Sequence, residues 1–96
     1  MILKILNKIC PGWVTEYKFH PSRRWRADYC NPECKIIIEQ NGGVWTGGRH
    51  TSGSGFIKDM EKLNAATVLG YRILQYTPQQ INKMEFILDI EQLIRR

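Results

Sequence analysis

Apolar positions recur with two different periods along this chain. Ile2, Ile5, Leu6 and Ile9 share one face of a helix over residues 2–10, and Pro11 and Gly12 end it. The period then shortens to two. Residues 14–20, VTEYKFH, alternate as a strand does; PSR turns the chain, and RWRADYC alternates again. NPE is a tight turn into KIIIEQ, where Ile36, Ile37 and Ile38 read as a strand buried on both faces. Short links join these three strands, which predicts an antiparallel meander. Residues 42–55, GGVWTGGRHTSGSG, hold six glycines and form a long loop, of the kind that in small domains is functional or disordered.

Helical spacing returns over residues 56–69, with Phe56, Met60, Leu63 and Thr67 on one side and Gly70 as the C-cap. YRILQYT is a fourth strand, and the helix before it makes it parallel to a neighbour. Thr77, Pro78 and Gln80 have the chemistry of a helix start: N-cap, first-position proline and capping-box partner. Ile81, Met84 and Leu88, with Ile87, Ile90 and Ile94, line one last helix. The order α-β-β-β-α-β-α predicts a fold of the α/β class, an α+β mixed sheet flanked by helices.

Ninety-six residues suit one domain spanning 1–96, too small for a large active-site cavity. The apolar fraction of 43% and charged fraction of 24% are those of a folded globular chain. MILKILNKIC is too short and too often interrupted by lysine for a signal peptide, and no apolar run approaches a membrane span. Three cysteines are an odd set, which points to free thiols in a reducing cytoplasm. Cys10, His20, Cys30 and Cys34 could together bind zinc, but their spacings fit no common finger pattern.

A net charge of +5 and a pI of about 9.3 suit a polyanionic partner. Lys18, Arg23, Arg24, Arg26 and Lys35 lie in one span, interleaved with Tyr17, Phe19, Trp25 and Tyr29. Such cations suit phosphates, while the rings either pack in the core or stack on bases. Among Trp13, Trp25 and Trp45, the one in the glycine loop, Trp45, is the expected DNA contact.

The buried third strand ends on Glu39, then Asn41, Gly42 and Gly43. An isolated carboxylate is costly to desolvate, so Glu39 needs a partner. Asp28, near the end of the second strand, can approach it if the two strands pair as a hairpin. Two adjacent carboxylates repel, and a divalent cation removes the repulsion; hard oxygen donors suit Mg²⁺ or Mn²⁺. Glu16, on the first strand, is a third candidate; the alternative for each acid is an ordinary surface role. Strand alternation puts Arg24, Arg26 and Asp28 on one face, and joins Asn41, not Gln40, to Glu39.

A strand ending in Asp28, a hydrophobic strand carrying Glu39-x-Asn41, the loop GRHTSGSGF, a helix and LGYRILQYTP together resemble the PD-(D/E)xK nuclease superfamily. Within it, the chain looks like small phage and bacterial endonucleases similar to very-short-patch-repair nicking endonucleases and Holliday-junction resolvases. The likeness spans about residues 13–80. It implies a restriction-endonuclease-like core and a Mg²⁺- or Mn²⁺-dependent DNA endonuclease, in the cytoplasm of a bacterium or phage-infected host, acting in DNA repair or recombination. Asp28 and Glu39 fall on the two motif acids and would hold the metal, with Glu16 as an additional upstream acid.

Asn41 falls where lysine is usual. It can orient a water or a ligand but supplies no charge. Lys62 is then expected to supply transition-state charge and His50 proton transfer, unless Asp59 and Glu61 neutralise Lys62 and Lys58. Arg23, Arg24, Arg26, Arg49, Lys58 and Trp45 are the expected DNA contacts. A homodimer or a partner protein is one expected route to cutting both strands or a junction. The alternatives are a catalytically inactive nucleic-acid-binding module of the same fold and, on charge alone, an RNA-binding or scaffold protein.

Overall fold

The computed structural model describes residues 2–41 and 53–95, apart from the side chains of Ser54 and Phe56. The elements are α1 (Ile2–Ile9), β1 (Val14–Tyr17), β2 (Ala27–Asn31), β3 (Ile36–Gln40), α2 (Gly53–Val68), β4 (Arg72–Tyr76), α3 (Pro78–Asn82) and α4 (Phe86–Arg95). The strands form one sheet in the order β1-β2-β3-β4. The first three run antiparallel and β4 runs parallel to β3, as the short links and the intervening helix require. The chain is an α+β domain on a four-stranded mixed sheet. Among the described residues no helix is long and apolar enough to cross a membrane.

Strand β3 is the spine. Ile36, Ile37 and Ile38 are each at most 1% exposed. Ile36 and Ile38 face a cluster with Leu6, Trp13, Phe86 and Ile90 from α1, the α1–β1 link and α4. Ile37 faces the opposite cluster, with Cys30, Ala66 and Tyr71. Each such burial contributes about 1.5–3 kcal/mol, so three consecutive isoleucines bind both layers to one strand. Tyr76 donates to Asp89 Oδ2 at 2.6 Å, and Arg72 Nη1 donates to the Leu93 carbonyl at 2.8 Å, fastening α4 along β4.

Several expectations need correction. The first strand, expected over residues 14–20, ends at Tyr17, and α2 begins at Gly53, inside the loop expected over residues 42–55. The predicted strand over residues 24–30 begins only at Ala27, so Arg24 and Arg26 lie in irregular chain and share no strand face with Asp28. On α2, Met60 is 48% exposed and Thr67 is exposed; Ala66 packs inward, flanked by half-buried Lys62, Leu63 and Leu69. Helix α2 carries apolar residues on several sides, so spacing alone does not select its buried face.

The last predicted helix is two. Met84 takes φ +57° between them, and Met84 N–H donates to Ile81 O at 2.9 Å. An unbroken helix would align Ile81 with Met84 and Leu88. The break instead brings Ile81, Phe86 and Ile90 into one cluster and leaves Leu88 70% exposed. The start of α3 is as predicted. Gln80 N–H donates to Thr77 Oγ1 at 3.2 Å, and Thr77 N–H donates to Gln80 Oε1 at 2.9 Å.

Two glycines occupy the left-handed half of conformational space for different reasons. Gly70, at φ +96°, closes α2, and a Cβ there would meet nothing within 4 Å. Gly12, at φ +109°, turns the chain from α1 to β1 against Asn31, whose Oδ1 would lie 3.3 Å from a Cβ. Asn31 is fully buried and cannot withdraw freely: its Nδ2 donates to Pro11 O at 3.1 Å and its Oδ1 accepts from Cys34 N–H at 3.0 Å. Gly70→Ala should therefore cost about 1 kcal/mol of backbone strain alone, and Gly12→Ala distinctly more. Urea unfolding of both variants measures the difference; equal losses would mean that the Asn31 amide gives way.

Candidate functional site

The paired register of β2 and β3 ends at Tyr29 opposite Ile38. At the next position the acids take over. Asp28 N–H donates to Glu39 Oε2 at 3.1 Å, and Gln40 N–H donates to Asp28 Oδ2 at 2.8 Å. Each carboxylate thus accepts a backbone amide of the opposite strand. That reciprocal exchange brings Asp28 and Glu39 together, and it accounts for a buried strand ending on an acid.

Lys62 completes the arrangement. Its Nζ donates to Glu39 Oε1 at 2.6 Å, with 17% of the lysine side chain and 9% of the glutamate side chain exposed. Its partner is Glu39, not Asp59 or Glu61, both of which are exposed on α2. Lys58 is also exposed on α2, one turn earlier. Burial pushes the Glu39 carboxyl above the usual range. Lys62 and the Asp28 amide oppose that push, and the Asp28 charge adds to it.

On the solvent side, Thr15, Glu16, Asp28, Tyr29 and Gln40 line an open groove of ≈ 340 Å³. Glu16 lies there at φ +51°, a left-handed conformation that costs a non-glycine residue about 1–2 kcal/mol. The register of Thr15 with Tyr29 and Tyr17 with Ala27 sets Glu16 across from Asp28 on the edge strand.

Among the described residues, no three His, Cys, Asp or Glu side chains converge closely enough to form a metal cluster. Asp28 and Glu39 are nonetheless hard-oxygen donors of the type Mg²⁺ takes, and Mg²⁺ commonly uses only one or two carboxylates with water and phosphate completing its shell. The pair fits such an ion in donor chemistry. Both oxygens of Glu39 already have partners in the chain, Lys62 and the Asp28 amide, whereas Asp28 uses only Oδ2 in this exchange.

Asn41 lies just past β3. Its N–H donates to Tyr76 O at 2.8 Å and its side-chain amide donates to Gln75 Oε1. Gln75 was not anticipated from the sequence. The parallel register sets it opposite Glu39, and its position two beyond buried-side Ile73 in β4 is the signal that could have found it. Trp45, Arg49 and His50 lie outside the described residues.

The basic span is built on aromatic packing. Phe19 is buried, Trp25 stacks on it at 6.3 Å with the planes 12° apart, and Tyr71 meets Phe19 edge-on at 5.8 Å. Arg23 lies 3.9 Å over the Trp25 ring, and His20 Nδ1 accepts from Ser22 N–H at 3.1 Å and Arg23 N–H at 2.9 Å. Lys35 Nζ lies 4.5 Å over Tyr71. Tyr17, Phe19 and Trp25 pack on one cluster and Tyr29 on the other, while Lys18, Arg24 and Arg26 are exposed. Trp13 is 3% exposed in the core. Cys10 and Cys34 meet, but Cys30 belongs to the opposite face of the sheet, so the four residues weighed for zinc do not come together.

Comparison with known proteins finds no matching family model, no matching curated protein and no matching solved structure.

The raised Glu39 pKa carries a definite sign. Between the unfolded value of about 4.3 and the higher folded value, the native chain holds more protons than the unfolded chain. Stability therefore falls as pH rises through that window. Glu39→Gln should remove this slope and gain on the wild type as pH climbs toward neutrality. Lys62→Ala should extend the window upward and cost about 3 kcal/mol near neutral pH, because it leaves a buried charge uncompensated. Urea unfolding across a pH series tests both; a Glu39→Gln curve parallel to wild type would contradict the assignment.

Proposed function

We propose that the chain is a metal-dependent DNA endonuclease with a restriction-endonuclease-like core. The observation that carries this reading is the reciprocal Asp28–Glu39 exchange with Lys62 held against it, beside a strand end and an exposed arginine segment. Asp28 and Glu39 would hold Mg²⁺ or Mn²⁺, which when bound would supply charge neutralisation at the phosphodiester and a more acidic water. Glu16 supports that pair from the edge strand. Arg23, Arg24 and Arg26, with Lys58 and Arg49, grip backbone phosphates, and Trp45 meets the DNA.

Lys62 supplies the positive charge that Asn41 lacks. It is the lysine that touches a motif acid, and developing charge on the phosphate needs such a donor. Asn41 is tied to Gln75 and serves to orient the strand end. His50 is assigned proton transfer. A partner copy or protein would complete any cut of both strands, in a cytoplasm where DNA is the substrate.

One observation favours a second reading, a nucleic-acid-binding module without catalysis. Both Glu39 oxygens are engaged by the chain itself, and the position usual for lysine is an amide bound to Gln75. Plasmid, nicked, flap and four-way DNA incubated with Mg²⁺, Mn²⁺ or EDTA separate the two. Cleavage in metal but not EDTA supports the enzyme; binding in EDTA with no cleavage in either metal supports the module.

For the enzyme, Asp28→Asn should abolish cleavage and leave DNA binding equal or tighter, since a negative charge near phosphate is lost. Lys62→Ala should slow single-turnover cleavage by about 10²-fold or more at saturating metal. Full activity in Asp28→Asn would refute the site.

Arg24→Ala and Arg26→Ala should each weaken binding to all sequences alike and reduce the slope of log affinity against log salt by about 1. Salt titrations on two unrelated sequences measure this. A changed sequence preference with an unchanged slope would argue for base contacts instead.

A further inference from the structure

The two half-buried thiols Cys10 and Cys34 lie 24 positions apart in sequence, with their sulfurs 3.3 Å apart. A single buried side chain aligns them. Asn31 Nδ2 donates to Pro11 O at 3.1 Å and approaches Cys10 Sγ at 3.6 Å, while its Oδ1 accepts the Cys34 N–H at 3.0 Å. Asn31 is fully buried and also backs Gly12, so the end of α1 and the β2–β3 turn are referenced to one amide. Arg72 Nη2 adds a bond to Cys34 O at 3.2 Å. Both sulfurs are therefore held by backbone that other interactions fix.

We propose that Cys10 and Cys34 are a redox-modification site, closing to an intramolecular disulfide when the chain meets a low-molecular-weight disulfide. Cys10 is the attacking sulfur, because the Asn31 amide donates to its Sγ, whereas in the contact between the two thiols either can donate. The contact with Cys10, followed by burial, pushes the Cys34 thiol up.

In the first step the Cys10 thiolate attacks one sulfur of the small disulfide. A Cys10 mixed disulfide forms and one small thiolate leaves. That thiolate takes the Cys34 proton. The Cys34 thiolate then attacks Cys10 Sγ, forms the protein disulfide and expels the second small thiolate, which takes up the proton that Cys10 released to water. Two protein thiols are oxidised and one small disulfide is reduced to two small thiols. The sulfurs must close by about 1.3 Å to reach a bond of about 2.05 Å, within the scope of side-chain rotation.

Cys30 takes no part. It is fully buried in the other cluster, where burial pushes its thiol up to about 12. The closed loop would run from residue 10 to residue 34 and enclose β1, the arginine segment and Asp28. Closure is independent of the nuclease reading, and it would restrain the segment that reading assigns to DNA.

The test equilibrates the folded, full chain in buffers from reduced to oxidised glutathione, blocks free thiols, and maps the products by mass spectrometry. The expected product is two hydrogens lighter than the reduced chain, links the Cys10 and Cys34 peptides, and leaves Cys30 to be blocked only after unfolding. Its Tm should rise by about 17 °C, as a loop of this length predicts. Cys34→Ser should accumulate one glutathione adduct on Cys10, faster than Cys10→Ser accumulates one on Cys34. Three blockable thiols in excess oxidised glutathione would overturn the proposal, as would a stable mixed disulfide on the wild type or a crosslink through Cys30. Faster adduct formation on Cys34 would overturn the order of attack.

Discussion

The structure around β3 depends on one constraint: a carboxylate, Glu39, sits in the layer between sheet and helix. Its residue is 7% exposed, and ionising it there requires compensation from the chain. Three features follow. The β2–β3 pairing stops where Asp28 can lend its amide. Lys62 turns inward from α2 to meet it. Burial still outweighs these partners, so the carboxyl remains shifted toward its neutral form. Replacing a buried ion pair by apolar groups of similar volume is often neutral or stabilising. Stability therefore gives no reason for this pair, which makes it the natural place to look for chemistry.

The rest of the fold serves to hold that strand end still. Ile36, Ile37 and Ile38 are packed on alternate sides, so β3 can neither slip nor tilt without exposing one layer. The parallel partner β4 extends this order past the end of β3, through the Asn41 amide bound to Tyr76 O and the side chain bound to Gln75. The arginine segment is irregular but anchored, since Phe19, Trp25 and Tyr71 form one aromatic run beneath it. Exposed cations on an anchored loop lose less freedom on meeting a polyanion than cations on a free one.

What could be read in advance were features whose physics is local. The Thr77–Gln80 capping box, the Gly70 C-cap and the isoleucine run each specify their own geometry, and all appear in the fold. Pairing of Asp28 with Glu39 followed from hairpin register. The face of α2 did not, because apolar residues such as Ile57, Met60 and Val68 also lie on its exposed sides, so its own periodicity does not select the buried one. The break at Met84 escaped for a related reason. Residues 78–95 carry apolar positions at helical spacing almost throughout, and only the need to bring Ile81, Phe86 and Ile90 into one cluster selects the interruption. The aromatic residues of the basic span were open between packing and base stacking until the third dimension placed Phe19 against Trp25.

The origin of the site's positive charge shows how sequence and structure divide the work. A lysine two residues beyond Glu39 would be placed by strand alternation alone. Asn41 occupies that position and spends its amide on Gln75. The charge at Glu39 comes instead from α2, so it arrives only when that helix is packed against the sheet. Ala66 and Leu69 do that packing, with small Ala66 in the cluster of Ile37 and Tyr71. Formation of the ion pair is thereby coupled to tertiary assembly, whereas a strand lysine would be present as soon as β3 formed. A carboxylate that depends on a neighbouring layer for its counter-charge reports on whether that layer is in place. The acids, the helix and the sheet are one cooperative unit in this chain.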